Sequence, residues 1–188
     1  MNLPNKLTVL RVILVPFFVA FLLISAIPFH YLLALLVFAA ASITDALDGN
    51  IARKQNLVTT FGKFLDPLAD KVLVLSALIC FISLGVCSPV VVIIVVTREF
   101  LVTSLRLVAA AEGTVIAASI YGKVKTVVQM VSIVVILLMF AVDQLIAYDM
   151  ESVILLTGNT LMWLTAAVTV VSGIDYLVKN RACINVTK

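Results

Sequence analysis

Long apolar stretches separated by short polar breaks run through nearly the whole of this 188-residue chain. Each is close to the roughly 20 residues that a helix needs to cross a hydrocarbon layer. A backbone group in lipid must find its partner inside the protein, and a helix satisfies all of its own within one segment. The chain therefore reads as an all-α integral membrane protein. Six spans are expected, at about Leu7–Ile27, Tyr31–Ile51, Phe64–Leu84, Pro89–Ala111, Tyr121–Val142 and Val153–Val178. Pro28, Gly85, Glu112–Gly113 and the polar stretch Asp143–Ser152 mark four of the breaks. Composition agrees: 63% of the residues are hydrophobic, against roughly 45–50% in a soluble domain. The first span lacks a small-x-small cleavage site and reads as an uncleaved helix. With no internal repeat and no low-complexity linker, residues 1–188 read as one membrane domain.

Charge sets the expected orientation. With the N-terminus in the cytoplasm, Lys6, Arg11, Arg53, Lys54, Lys63, Arg106, Lys123, Lys125, Lys179, Arg181 and Lys188 all fall on the inner side. The opposite loops carry no Lys or Arg, and one holds Asp143, Asp149 and Glu151. The positive-inside rule then gives N-in and C-in in the plasma membrane. A formal charge of +3 is too small to imply nucleic acid and fits cationic edges beside anionic lipid. Cys80, Cys87 and Cys183 match no metal or redox spacing, and Cys80 and Cys87 read as packing residues. The single histidine, His30, has no partner motif.

Four carboxylates stand where a membrane helix tolerates them least. Asp45 and Asp48 lie in the last turns of the second span, and Asp66 and Asp70 in the first turns of the third. Asp45, Asp48, Gly49 and Ala52 share one helical face, as do Gly62, Asp66 and Asp70. The two helices are consecutive and antiparallel, so they are expected to be neighbours, joined by a loop of about ten residues, near the cytoplasmic surface. Like charges gathered in a low dielectric need compensation. Salt bridges to Arg53, Lys54, Lys63 and Lys71 are one means. An all-oxygen donor set with no His or Cys nearby also suits two divalent ions, Mg²⁺ or Mn²⁺, and paired ions commonly serve phosphoryl chemistry. Gly49 and Gly62 permit close approach, either of a ligand or of a packed helix.

Asp45-Ala-Leu-Asp48-Gly49-Asn-Ile-Ala52-Arg53, eight further residues, then Gly62-Lys-Phe-Leu-Asp66-Pro-Leu-Ala-Asp70 resembles the D-x2-D-G-x2-A-R-x8-G-x3-D-x3-D motif of the CDP-alcohol phosphatidyltransferase family at every motif position. Three further segments look like the members that use sn-glycerol 3-phosphate as acceptor: Asn2–Arg11, Thr97–Arg106 and Ala117–Thr126. The resemblance covers the whole chain. It implies transfer of a phosphatidyl group from CDP-diacylglycerol to sn-glycerol 3-phosphate, giving phosphatidylglycerophosphate and CMP. It implies metal ligation by Asp45, Asp48 and Asp66, with Asp70 touching the second ion and acting as base toward the acceptor hydroxyl. Asp48, Gly49, Ala52, Arg53 and Gly62 would border the CDP moiety. Asn5, Thr8 and Arg11, at the start of the first span, could reach the nucleotide or serve as caps and interfacial anchors. A homodimer is also implied.

The acceptor's phosphate needs cations, and Arg98, Arg106, Lys123 and Lys125 are the candidates. Arg98 lies deep in the fourth span. An ion pair with adjacent Glu99 is the ordinary alternative, though adjacent helical residues point about 100° apart. Lys123 and Lys125 fall on different faces, so one is expected in the pocket and the other at the lipid surface. Two rival readings are a family enzyme acting on inositol phosphate or serine, and a divalent-cation transporter. A transporter would place its site near the midplane on broken helices, unlike these near-surface acids.

Overall fold

The computed structural model describes the backbone of residues 3–55, 60–111, 119–146 and 149–181, with side chains for these except 3–6, 45–55, 60–68, 70 and 111. Six helices account for nearly all of it: α1 (Leu3–Leu23), α2 (His30–Gln55), α3 (Thr60–Ser83), α4 (Pro89–Ala111), α5 (Ile120–Ile146) and α6 (Glu151–Lys179). No strand occurs among the described residues. Pro89 opens α4, where its missing N–H costs no intrahelical bond.

Two boundaries differ from the sequence expectation. α1 stops at Leu23 rather than near Pro28. Proline disfavours helical geometry in the residue before it, and Phe29 then turns the chain with φ +53° before α2 begins at His30. Pro16, inside α1, does not break it. The second difference lies at the other end of α2, which runs through Arg53 and Lys54 to Gln55, while α3 starts at Thr60. Of the expected ten-residue loop, all but residues 56–59, which lie outside the described residues, is helical. Every position of the acidic motif outside that stretch is therefore on helical backbone.

The helices close into a ring in the order α1, α2, α5, α6, α4, α3, with an additional contact of α3 on α5 across it. Through their described lengths α2 and α3 both pack against α1. The approach of their acid-bearing ends lies outside the described residues. Phe18 of α1 meets Phe38 of α2 at a ring separation of 5.6 Å. Buried Ala34, Ala41, Leu73 and Ala77 fill the adjoining α2 and α3 surfaces. His30 is buried beneath this end of the bundle, its Nδ1 3.1 Å from the Phe21 carbonyl oxygen. At the same end, Gly85 takes φ +75° in the α3–α4 turn, and the Asn159 side-chain amide donates to its carbonyl at 3.0 Å. Gly158 allows α6 to sit directly on that turn, since a Cβ there would stand 2.8 Å from Val86 Cβ.

The polarity of the bundle is that of a protein in lipid. Ile93, Phe100, Leu107, Val127 and Leu156 are each more than 60% exposed on the outside. Thr165, Thr169, Ser132 and Ser172 are buried within. Small hydroxyl residues at helix contacts are the usual arrangement in membranes, and here Thr165 Oγ1 donates to Ser132 Oγ at 3.2 Å across α5–α6. α5 and α6 are long and apolar enough to cross a membrane. So much apolar surface would be a liability in water.

Candidate active site

Counted along its own helix, each acid pair stands at a similar distance from the α2–α3 connection. Asp48 precedes the end of α2 by seven residues, and Asp66 follows the start of α3 by six. At 1.5 Å per residue these are roughly 10 Å and 9 Å from the connecting segment. The side chains of Asp45, Asp48, Asp66 and Asp70, and those of Asn5, Gly49, Ala52, Arg53 and Gly62, lie outside the described residues. Thr8 and Arg11 are described: both are buried on α1, at 1% and 2% exposure. The acids carried by α1's two partner helices in this half of the bundle are the same four aspartates.

Beside the middle of α3 is a cavity of about 490 Å³ walled by α3, α4 and α5. Arg98, Arg106, Lys123 and Lys125 all line it, and Lys71 adds a fifth cation from α3. Among the described lining residues Glu99 is the only acid. Helix direction orders the walls by depth. Arg106, Leu107, Gly122 and Lys123 stand near the helix ends, while Val74, Leu75, Glu99, Gln129 and Met130 stand two or more turns further in. The cavity is thus a cationic funnel with a partly apolar floor.

Four of these cations, Lys71, Arg98, Arg106 and Lys125, are held by named partners. Lys125 is 4% exposed, and its Nζ lies 2.6 Å from Glu99 Oε1. Arg98 Nη1 donates to the same oxygen at 2.9 Å, and its Nη2 donates to Ser172 Oγ of α6 at 2.7 Å. The adjacent Arg98–Glu99 pair, which helical spacing made look awkward, does form: the arginine stem is long enough to bring its head round to its neighbour's carboxylate. Gly173 gives the arginine stem room, whereas a side chain at Gly122 would only touch the head at ordinary contact distance. A Cβ at Gly122 would lie 3.5 Å from Arg98 Nη2, and one at Gly173 would lie 3.3 Å from Arg98 Cγ. Arg106 Nε donates to the Tyr176 hydroxyl at 3.1 Å, with the guanidinium carbon 5.6 Å from the centre of the same ring. Lys71 donates to Thr103 Oγ1, whose own hydroxyl donates to the Glu99 carbonyl at 2.7 Å.

The two lysines of α5 divide differently from expectation. Lys125 is buried and Lys123 is exposed, yet both line the cavity. Sequence reasoning gave no site role to Glu99, which joins Arg98 to Lys125, nor to Ser172 and Tyr176, which reach in from α6. Uncharged residues on an apolar helix carry no signal of that kind.

A cluster of cations, one of them buried, facing one carboxylate is suited to a polyanionic ligand such as a phosphate. The chain's relatives fit that chemistry. Residues 1–171 match the CDP-alcohol phosphatidyltransferase family model, and the chain belongs to that family. Among its relatives is the CDP-diacylglycerol–glycerol-3-phosphate 3-phosphatidyltransferase of Bacillus subtilis (strain 168), 41% identical over 190 residues that cover 95% of each chain. The protein of that name from Rickettsia bellii (strain RML369-C) is 36% identical, with 97% of this chain and 95% of the relative covered. The probable phosphatidylglycerophosphate synthase of Mycobacterium tuberculosis (strain ATCC 25618 / H37Rv) is 38% identical over 95% of this chain and 81% of the relative.

Proposed function

We propose that this chain is a membrane enzyme that transfers the phosphatidyl group of CDP-diacylglycerol to sn-glycerol 3-phosphate, yielding phosphatidylglycerophosphate and CMP. The observation that carries the reading is the cavity lined by five described cations, among them Lys71, the residue that follows Asp70. Asp70 and the cavity-lining Val74 are four positions apart on α3, a spacing that puts them on one helical face. The acid motif would take the donor, and the cavity the acceptor's phosphate.

In the reaction the acceptor's C1 hydroxyl oxygen bonds to the phosphatidyl phosphorus. The bond from that phosphorus to the CMP oxygen breaks, and CMP leaves with the electron pair. The hydroxyl proton goes to the Asp70 carboxylate, which acts as base. Arg98, Arg106, Lys123 and Lys125 hold the acceptor phosphate and so fix the hydroxyl's approach, an orientation effect worth several orders of magnitude. Asp48, Gly49, Ala52, Arg53 and Gly62 border the CDP moiety, with Asn5 and Thr8 reaching it from α1. Buried Arg11 supplies positive charge on the helix that packs against both acid-bearing helices.

The donor set of Asp45, Asp48, Asp66 and Asp70 is all oxygen, which fits Mg²⁺ or Mn²⁺. Two such ions would polarise the donor phosphorus and stabilise charge on the departing CMP.

Six spans with both termini in the cytoplasm are the topology supported by the basic-residue asymmetry. The site then faces the cytoplasm, where the nucleotide and acceptor are water-soluble and the donor's acyl chains remain in lipid. The family resemblance supports a homodimer.

An acceptor panel tests the function. Purified protein with CDP-diacylglycerol should release CMP with sn-glycerol 3-phosphate and not with serine or inositol phosphate. The opposite pattern would assign the chain another acceptor.

A further inference from the structure

Two buried atoms of residues that line the cavity have no hydrogen-bond partner, Arg98 Nε and Gln129 Nε2, and only the second belongs to a neutral side chain. Gln129 stands on α5 one helical turn past Lys125 and is 2% exposed. Its Nε2 has no hydrogen-bond partner, and the residue lines the inner part of the cavity with Met130, Val74 and Leu75. A buried amide left unpaired is costly, and in a native protein it points to a ligand, an ion or a water.

The other neutral polar side chains that line the cavity are already engaged. Thr103 donates to the Glu99 carbonyl at 2.7 Å, and Thr126 donates to the Gly122 carbonyl at 3.1 Å. The cations offer only N–H donors, the natural partners of a phosphate. Gln129 differs from all of these, because its terminal amide both donates and accepts, as a hydroxyl does.

We propose that Gln129 reads the acceptor's second hydroxyl and makes the cavity selective for a phosphorylated polyol over a phosphorylated simple alcohol. This rests on the acceptor reading given above. In sn-glycerol 3-phosphate the phosphate goes to the cations and the C1 hydroxyl to phosphorus. The C2 hydroxyl is left for the floor of the cavity, where Gln129, through Nε2, is the neutral side chain among the described lining residues with hydrogen-bonding capacity to spare. A site built to pair a substrate hydroxyl penalises an analogue that lacks it, because its own polar group is then stranded.

The test uses 3-hydroxypropyl phosphate, which keeps the phosphate and a primary hydroxyl and lacks only the C2 hydroxyl. Wild-type protein should favour glycerol 3-phosphate by at least about 100-fold in kcat/KM. Gln129→Met, similar in volume, should shrink that preference to a few-fold by losing activity on glycerol 3-phosphate alone. The KM for CDP-diacylglycerol should stay the same. Because Gln129 Nε2 has no protein partner among the described residues, the variant's Tm should not fall, whereas a residue with a purely structural role would lower it. Equal use of the two phosphates by wild type overturns the proposal without any variant. So does a preference that survives intact in Gln129→Met. Failure of both phosphates to release CMP from wild type overturns the acceptor reading itself, and this proposal with it.

Discussion

Tyr176 of α6 accepts a hydrogen bond from Arg106 Nε of α4 at 3.1 Å and lays its ring against the same guanidinium, 5.6 Å from the ring centre. One aromatic side chain therefore orients a cation that lines the cavity but is otherwise exposed. Tyr176→Phe removes the hydroxyl and keeps the ring. A hydrogen bond to a charged group contributes about 1.5–3 kcal/mol, and partial exposure of Arg106 lowers that figure. The KM for glycerol 3-phosphate should rise about 3- to 10-fold, with the KM for CDP-diacylglycerol unchanged. Steady-state CMP release at varied acceptor and donor checks it. Equal movement of the two constants would mean a general loss of packing.

Glu99 accepts from both Arg98 and Lys125 at a single oxygen. Glu99→Gln leaves two cations without their carboxylate; breaking a buried pair costs about 3–5 kcal/mol, and the partial exposure of Glu99 and Arg98 lowers that figure. The expected result is a lower Tm in detergent, recovered in part when Lys125→Met is added. A double variant no more stable than Glu99→Gln would show that Lys125 is not the charge Glu99 balances.

Asp70→Asn should lower turnover by at least about 100-fold, the scale of a lost general base. Metal-dependent binding of CDP-diacylglycerol should remain measurable. In wild type, EDTA should abolish activity and Mg²⁺ or Mn²⁺ restore it. Near-normal turnover in Asp70→Asn would move the base elsewhere, and activity that survives chelation would remove the ions from the reaction.

Cys87, in the α3–α4 turn, is 4% exposed, and burial pushes its thiol up to about 11. A raised thiol pKa keeps the unreactive S–H form, so at pH 8 about one molecule in a thousand carries thiolate. With Cys183 replaced by serine, maleimide labelling of folded protein should be slow from pH 7 to 9 and become fast in denaturing detergent. Rapid labelling of the folded protein would contradict the buried turn.

The helices were legible because each is a long apolar run, and Pro89 placed the start of α4 directly. Their order around the ring was not. A helix that is apolar on every side gives no amphipathic stripe to say which face meets which neighbour, so nothing in α1 revealed that it packs against both α2 and α3. The cavity's cations stood out because charge inside an apolar helix is rare. Their partners did not: Ser172 and Tyr176 look like ordinary members of α6, and Glu99 looked badly placed for Arg98 until the length of the arginine stem was seen in three dimensions. Gln129 carries no charge and belongs to no spacing pattern. Only its burial without a partner singles it out.

The account divides the work between an acidic motif that holds the donor and a cationic cavity that holds the acceptor. Crossed kinetics on Arg106→Ala and Asp48→Asn test that division most directly. Arg106→Ala should raise the KM for glycerol 3-phosphate and leave the KM for CDP-diacylglycerol alone. Asp48→Asn should raise the metal and donor requirement and leave the acceptor KM alone. An unchanged acceptor KM in Arg106→Ala, or the same constant moving in both variants, would contradict it.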